Sequence, residues 1–111
     1  MTEATKDRVV GRWSAKPQLH QAGGVVHGGA HSIVVETLTS VGAALWFQDS
    51  GTVVGVNNSM DFYAATAAGE LTSVASPIHR DRTQQVWVVE TTDDGGRLLA
   101  RGQVRLQNLP R

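Results

Sequence analysis

The chain of 111 residues has no cysteine. That excludes a disulfide framework, a thiolate nucleophile and a Cys-type zinc site, and it is compatible with a reducing compartment. Net charge is absent too, since ten Lys and Arg balance ten Asp and Glu. Phosphate binding usually shows as a basic excess, so nucleic acid is not an expected partner, and nothing draws the chain to an anionic membrane. No stretch reaches the roughly 20 apolar residues of a bilayer span. The opening "MTEATKDRVV" lacks an apolar core behind a basic start, so no signal peptide is read there. A soluble, cytoplasmic protein is expected. Internal repeats and low-complexity stretches are also missing, and the length suits one domain over 1–111. A domain this small leaves much apolar surface exposed, for which self-association is a common remedy.

What is present divides into one helical pattern and several strands. Residues 1–7 are polar and expected to fray. "RVVGRWSA" (8–15) reads as a strand, and "KPQLHQAGGV" as a loop punctuated by Pro17 and Gly23-Gly24. From about Gly28 to Gln48 the sequence has a helical period. Ala30, Ile33, Val34, Thr37, Leu38, Val41, Ala44 and Leu45 fall on one stripe, and Gly51 is available as a C-terminal cap. Strands are expected at 52–62, 70–80, 84–92 and 97–109, with "YAATAAG" as a small-residue connection. Val86, Val88 and Glu90 alternate with Trp87, Val89 and Thr91, and "DDGG" (93–96) signals a hairpin turn. The class is therefore α+β: an antiparallel sheet of about five strands curled around one long central helix, whose apolar stripe needs a sheet to cover it.

The most informative stretch is "GGVVHGGAHSIVVETL" (23–38). A glycine pair at a helix start leaves first-turn amides uncovered by side chains. Those amides have no intrahelical acceptor and stand at the positive end of the helix dipole. Gly28 and Gly29 therefore offer a donor to a phosphate or to the carbonyl of an ester. The plainer reading is that the glycines serve only a tight turn or close packing. Further along, Ser32, Glu36, Ser40 and Ala43 share a face that Gly29 extends toward the N-terminus, and Glu36 is its one acid. Most helical glutamates are simply solvated. If both ends of the motif are catalytic, geometry adds a condition. Gly28 and Glu36 are eight residues apart, roughly 12 Å along a helix axis. A nucleophile must come within about 3–3.5 Å of its carbonyl. One copy of the helix does not bring both groups to one carbonyl. Two copies across a dimer axis do, so the site is expected to be shared.

At "HQAGGVVHGGAHSIVVETLTS" the sequence resembles the hotdog-fold acyl-CoA thioesterases, and more narrowly the PaaI-like branch that includes the Arthrobacter-type 4-hydroxybenzoyl-CoA thioesterases. The shared pattern is a histidine and two glycines opening the central helix, with an acid eight residues after the first glycine. The resemblance runs on through "NNSMDF", "GEL", the Arg-containing turn and the D-G-R hairpin, covering roughly 8–108. It implies the hotdog fold and a homo-oligomer, with a dimer as the minimal unit and a dimer of dimers by precedent.

The same resemblance implies residue roles. Glu36 is the catalytic carboxylate, as nucleophile or as general base. The Gly28 amide polarises the thioester carbonyl. Gln21 helps to place water or substrate, His27 hydrogen-bonds near the thioester, and Ser40 orients water. Gly29, Asn57, Asn58 and Met60, with Phe62 beyond, are candidates for lining the acyl or pantetheine path. Arg80, Arg82 and Thr83 lie in a turn that approaches the nucleotide end of CoA in relatives, and Arg pairs well with phosphate. For Arg80, Arg82 and Thr83 a solvated turn is an equal alternative, and for Met60 and Phe62 a core position. The substrate is an aryl- or acyl-CoA, and neither metal nor redox cofactor is implied.

Other readings are weaker. His27 and His31 are spaced i, i+4 with His20 nearby, a spacing that can hold a metal. However, no adjacent Glu or third ligand completes a site. A hotdog hydratase or dehydratase needs a differently placed His–acid pair. A non-catalytic acyl-CoA-binding module would be favoured by loss of the acid, but Glu36 is present.

Overall fold

The structure, a computed structural model, describes residues 1–15, 28–66 and 68–111. Two short N-terminal strands, β1 (Glu3–Ala4) and β2 (Val9–Ala15), precede the helix α1 (Gly28–Phe47), which a 3-10 turn (Gln48–Ser50) closes. Four longer strands follow: β3 (Gly51–Phe62), β4 (Gly69–Arg80), β5 (Gln84–Thr92) and β6 (Leu98–Pro110). They form one antiparallel sheet in the order β1-β2-β4-β5-β6-β3. One long helix lies on this sheet, which is the hotdog arrangement.

Period-two alternation decides which side of each strand meets the helix. Trp87, Val89 and Thr91 of β5 are buried, as are Leu71, Ser73 and Ala75 of β4 and Val104 and Leu106 of β6. Of these, Ala75, Trp87, Val89, Val104 and Leu106 form one core cluster with Val9 and with Val35, Leu38 and Ala43 of α1. The 93–96 turn joins β5 to β6 as expected. Asp93 Oδ1 accepts the Gly95 and Arg97 amides, and Gly96 takes φ +82°, a conformation that favours glycine.

Three expectations need correction. Residues 1–7 do not fray: Glu3 pairs with Val10 and Ala4 with Val9, so the sheet has six strands. Thr5 Oγ1 accepts the Asp7 and Arg8 amides in the connecting turn, and Arg80 of β4 donates to the Lys6 carbonyl and to Asp7. The buried stripe of α1 is also different. It runs through His31, Val35, Leu38, Thr39, Gly42, Ala43 and Phe47, while Ile33 stays 68% exposed. A helix apolar on most sides does not choose its face by periodicity alone. The choice falls where Gly42 admits the Trp87 ring and where the Thr39 hydroxyl is satisfied by the Val35 carbonyl. Finally, Gly28–Ser50 reaches a mean hydropathy of 1.2 over 18 residues, enough by length and composition to cross a membrane. In this fold that apolar character faces the sheet on one side and is left open on the other.

A side chain at Gly42 would bring a Cβ to 2.5 Å from the Trp87 ring. Gly42→Ala is therefore expected to destabilise the fold by about 1–3 kcal/mol, despite the better helix propensity of alanine. Urea unfolding followed by tryptophan fluorescence checks this. An unchanged or raised midpoint would mean that the ring has room to move.

Candidate active site

Glu36 lies midway along α1 on the side turned from the core. Its side chain is exposed and has no hydrogen-bond or ion-pair partner among the described residues. Oε1 comes within 3.6 Å of where a Cβ on Gly55 would stand, so the carboxylate leans over β3 at a position that carries no side chain. A register shift between Gly55 and Asn57 makes a bulge there. Bulges bend a strand and redirect its side chains.

The carboxylate stands between two open hollows. One, of about 210 Å³, is walled by Gly55, Val56, Asn57, Asn58 and Val104. The other, of about 440 Å³, is walled by Ile33, Thr37, Ser40 and Val41. The strand side thus offers amides and the helix side mostly apolar groups. Asn58 ties the two elements together, its Nδ2 donating to the Ser32 carbonyl at 3.4 Å. Its Oδ1 is buried and has no hydrogen-bond partner among the described residues. A buried acceptor left unpaired is costly, on the order of 1–3 kcal/mol, which makes this oxygen a natural acceptor for an incoming donor.

The other expected site residues separate into groups. Ser40 is half-buried one turn beyond Glu36 and borders the same hollow. Gly28 is the first residue of α1, and a Cβ there would meet the Phe62 ring at 3.2 Å. Gly29 follows it, exposed. Gln21 and His27 lie outside the described residues. Asn57 is exposed on β3 and accepts a hydrogen bond from Ser59. Met60 packs against the core rather than lining either hollow.

In the β4–β5 turn, Arg80 is committed to the N-terminal turn, and its guanidinium lies 5.0 Å from the centre of the Trp46 ring. The Thr83 hydroxyl donates to Asp81, whose carboxylate also accepts the Thr83 and Gln84 amides. Those bonds, with His79 first among them, hold Asp81 well below the usual carboxylate range. Arg82 is exposed, and its guanidinium has no partner among the described residues.

Gly55 and Val56 were missed in the sequence. Their one signal was a glycine inside a strand pattern, which often marks a bulge or a close approach. His31 was read only as a possible metal ligand. It is 4% exposed, between the rings of Trp13 (5.2 Å) and Phe62 (5.6 Å), both edge-on. Burial lowers its pKa below the ordinary 6.5, and Nδ1 has no hydrogen-bond partner among the described residues. His20 and His27 lie outside the described residues.

A long helix covered by an antiparallel sheet in this strand order is the hotdog arrangement. The chain belongs to the thioesterase superfamily, whose sequence profile matches residues 23–100, and it is a thioester hydrolase. Among particular relatives, it is 53% identical to the crystal structure of AziG from S. sahachiroi, with a TM-score of 0.97, covering 99% of this chain and 90% of that one. The structure of Rv1847/MT1895 from Mycobacterium tuberculosis is 44% identical with a TM-score of 0.96, covering 99% of this chain and 90% of that one. The 1,4-dihydroxy-2-naphthoyl-CoA hydrolase of Listeria monocytogenes is 31% identical over 94 residues, 85% of this chain and 76% of that protein.

The buried His31 gives a pH prediction. Its folded pKa lies below the unfolded 6.5. Above pH 6.5 the ring is neutral in both states and the full stability is present. As pH falls below 6.5 the unfolded chain takes up a proton that the folded chain resists, so stability declines toward the depressed folded value. Urea midpoints at pH 7.5 and 5.0 are expected to differ less in His31→Gln than in wild type. Equal differences would show that His31 is not linked to folding.

Proposed function

We propose that this protein hydrolyses an aryl- or acyl-CoA thioester at a site shared by two copies of the chain, with Glu36 from one and the Gly28 amide from the other. The observation that carries the reading is the exposed Glu36 carboxylate, unpartnered among the described residues, between two hollows and on the same helix as Gly28. Their separation of roughly 12 Å along the axis keeps one copy from serving one carbonyl. The dimer itself is supported by β3. This strand lies at a sheet edge, is 12 residues long, and leaves Val54 and Val56 44% and 46% exposed. A long apolar edge strand is a template for pairing with another chain. Two such dimers joining into a tetramer agree with the resemblance.

The chemistry needs only these groups and water. In one route Glu36 removes a proton from water as the water oxygen bonds to the carbonyl carbon. The carbonyl oxygen becomes an oxyanion held by the Gly28 amide at the helix N-terminus. The C–S bond then breaks, the acid departs, and the CoA thiolate takes up a proton. In the other route the carboxylate itself attacks, the thiolate leaves, and water opens the resulting anhydride. Ser40 orients the water, and Gln21 and His27 assist at the thioester. No metal or redox cofactor takes part.

Asn58 Oδ1, buried and unpaired, suits an amide N–H of the pantetheine arm, with Asn57 and Gly29 beside the path. Met60 supports that wall from the core. Arg82 is the free cation of the β4–β5 turn for a CoA phosphate. Arg80 and Thr83 contribute by holding the turn. An aromatic acyl group agrees with the name of the Listeria relative and with the apolar hollow of Ile33 and Val41. The balanced charge and absence of cysteine fit a cytoplasmic enzyme that binds neither nucleic acid nor membrane.

CoA release from a panel of aryl and aliphatic acyl-CoAs tests the activity. Wild type is expected to hydrolyse part of the panel, and Glu36→Ala to be slower by about 10²-fold or more while still folded and oligomeric. Binding of acyl-CoA without CoA release would favour a binding module instead. The shared site has a separate test. Mixed Glu36→Ala and Gly28→Pro protomers are expected to recover activity through hybrid sites. No recovery despite demonstrated subunit exchange would place both groups within one chain.

A further inference from the structure

The start of α1 is not held by helix propensity. Gly28, Gly29 and Ala30 are followed by a histidine, and the first turn contains no acidic residue to complement the dipole. Yet an amide that stabilises an oxyanion must be placed within a few tenths of an ångström. Something outside the helix has to fix it.

Aromatic packing at the end of β3 meets it. Phe62 is the last residue of β3 and pairs with Ala100 of β6. Its Cζ lies 3.2 Å from where a Cβ on Gly28 would stand, so a side chain there would press on the ring. The other side of the contact is His31, three residues on, with its ring 5.6 Å from Phe62 at 74°. His31 in turn meets Trp13 edge-on at 5.2 Å. Trp13 is anchored by its Nε1 donating to Ser73 Oγ at 3.0 Å, and Ser73 shares a 2.6 Å hydrogen bond with Thr91. A continuous packed line therefore runs from the buried middle of the sheet to the first residue of the helix. Despite this contact the Phe62 side chain is half in solvent, at 55% exposure.

We infer that Phe62 is a positioning residue for catalysis: its ring, backed by His31 and Trp13, sets the place of the Gly28 amide. This rests on the reading of Gly28 as the oxyanion donor and adds the group that aims it. Phe62 does not act on the thioester itself.

The test is a double-mutant cycle read in kcat and KM for an acyl-CoA that wild type hydrolyses. Phe62→Ala is expected to lower kcat by about 10-fold to 100-fold, since a misplacement near 1 Å can have that effect, with KM changed less than threefold. Phe62→Tyr, which keeps the ring, is expected to recover most of that rate. Gly28→Ala keeps the amide N–H but pushes on Phe62, so it is expected to lower kcat. Combining it with Phe62→Leu is expected to restore part of the loss, because the smaller side chain relieves the contact. Circular dichroism, oligomer size and thermal midpoint accompany each variant, and Phe62→Leu serves if Phe62→Ala does not fold.

Independent, multiplying effects of the Gly28 and Phe62 changes would overturn the inference. So would a Phe62→Ala enzyme with wild-type kcat. Failure of the underlying reading looks different: Glu36→Ala, or a Gly28→Pro homo-oligomer, would then retain wild-type CoA release.

Discussion

The rest of the structure depends on the contact between Gly42 and Trp87. The indole is fully buried and lies where a side chain at Gly42 would be, so α1 has only one rotation about its axis that closes the core. Hydrogen bonds fix that rotation. Trp87 Nε1 donates to Gln85 Oε1, and Gln85 Nε2 donates to the Ala43 carbonyl and to Asn108 Oδ1. Asn108 Nδ2 reaches the Asp81 and Arg82 carbonyls, binding the β4–β5 turn into the same network. Buried amides that satisfy one another in this way have few alternative arrangements, because any other leaves a polar atom unpaired in a medium of low dielectric.

With the C-terminal half of α1 so fixed, the rest of the helix is placed by its period. Val35 and Leu38 turn inward, and Glu36 must then turn outward over β3. There the bulge at Gly55 and the bond from Asn58 to Ser32 shape the ground beneath it. The acid needs no buried partner because it is not buried. What gives it its setting is the missing side chain at Gly55 and the two hollows on either side. The helix start is held differently, by aromatic packing at Phe62, His31 and Trp13 instead of by a polar network. One end is a lock on rotation and the other a prop beneath a backbone amide.

The single chain leaves apolar surface in a pattern. Ile33 on the outer side of α1 and Val54 and Val56 on β3 are exposed together with Phe62 and Tyr63. They lie around the same edge strand and the same helix flank that carry Glu36 and Gly28. The proposed acid and amide, far apart on one helix, thus lie beside an uncovered sheet edge. The distance along the helix and the exposed edge are independent observations, and both support the proposed shared site.

The sequence by itself determined the elements. The helix from Gly28, the strands, the hairpin at Asp93–Gly96 and the family resemblance of the glycine–acid spacing all follow from local pattern, because periodicity and turn chemistry act over a few neighbouring residues. It did not determine the face of the helix. The expected stripe through Ile33, Thr37 and Ala44 lies about one residue, or about 100°, from the observed one, and no local rule distinguishes two apolar faces of one helix. It also misjudged residues 1–7, whose order comes from pairing with β2 and from Arg80, which is remote in sequence. Arg80 itself reads equally as a phosphate ligand or a solvated turn residue, and only the tertiary structure shows it bound to the Lys6 carbonyl and Asp7. The bulge under Glu36, the unpaired Asn58 oxygen and the Phe62 ring against Gly28 were likewise decided in three dimensions. Each is a meeting of residues far apart in the chain, fixed by how the sheet closes on the helix.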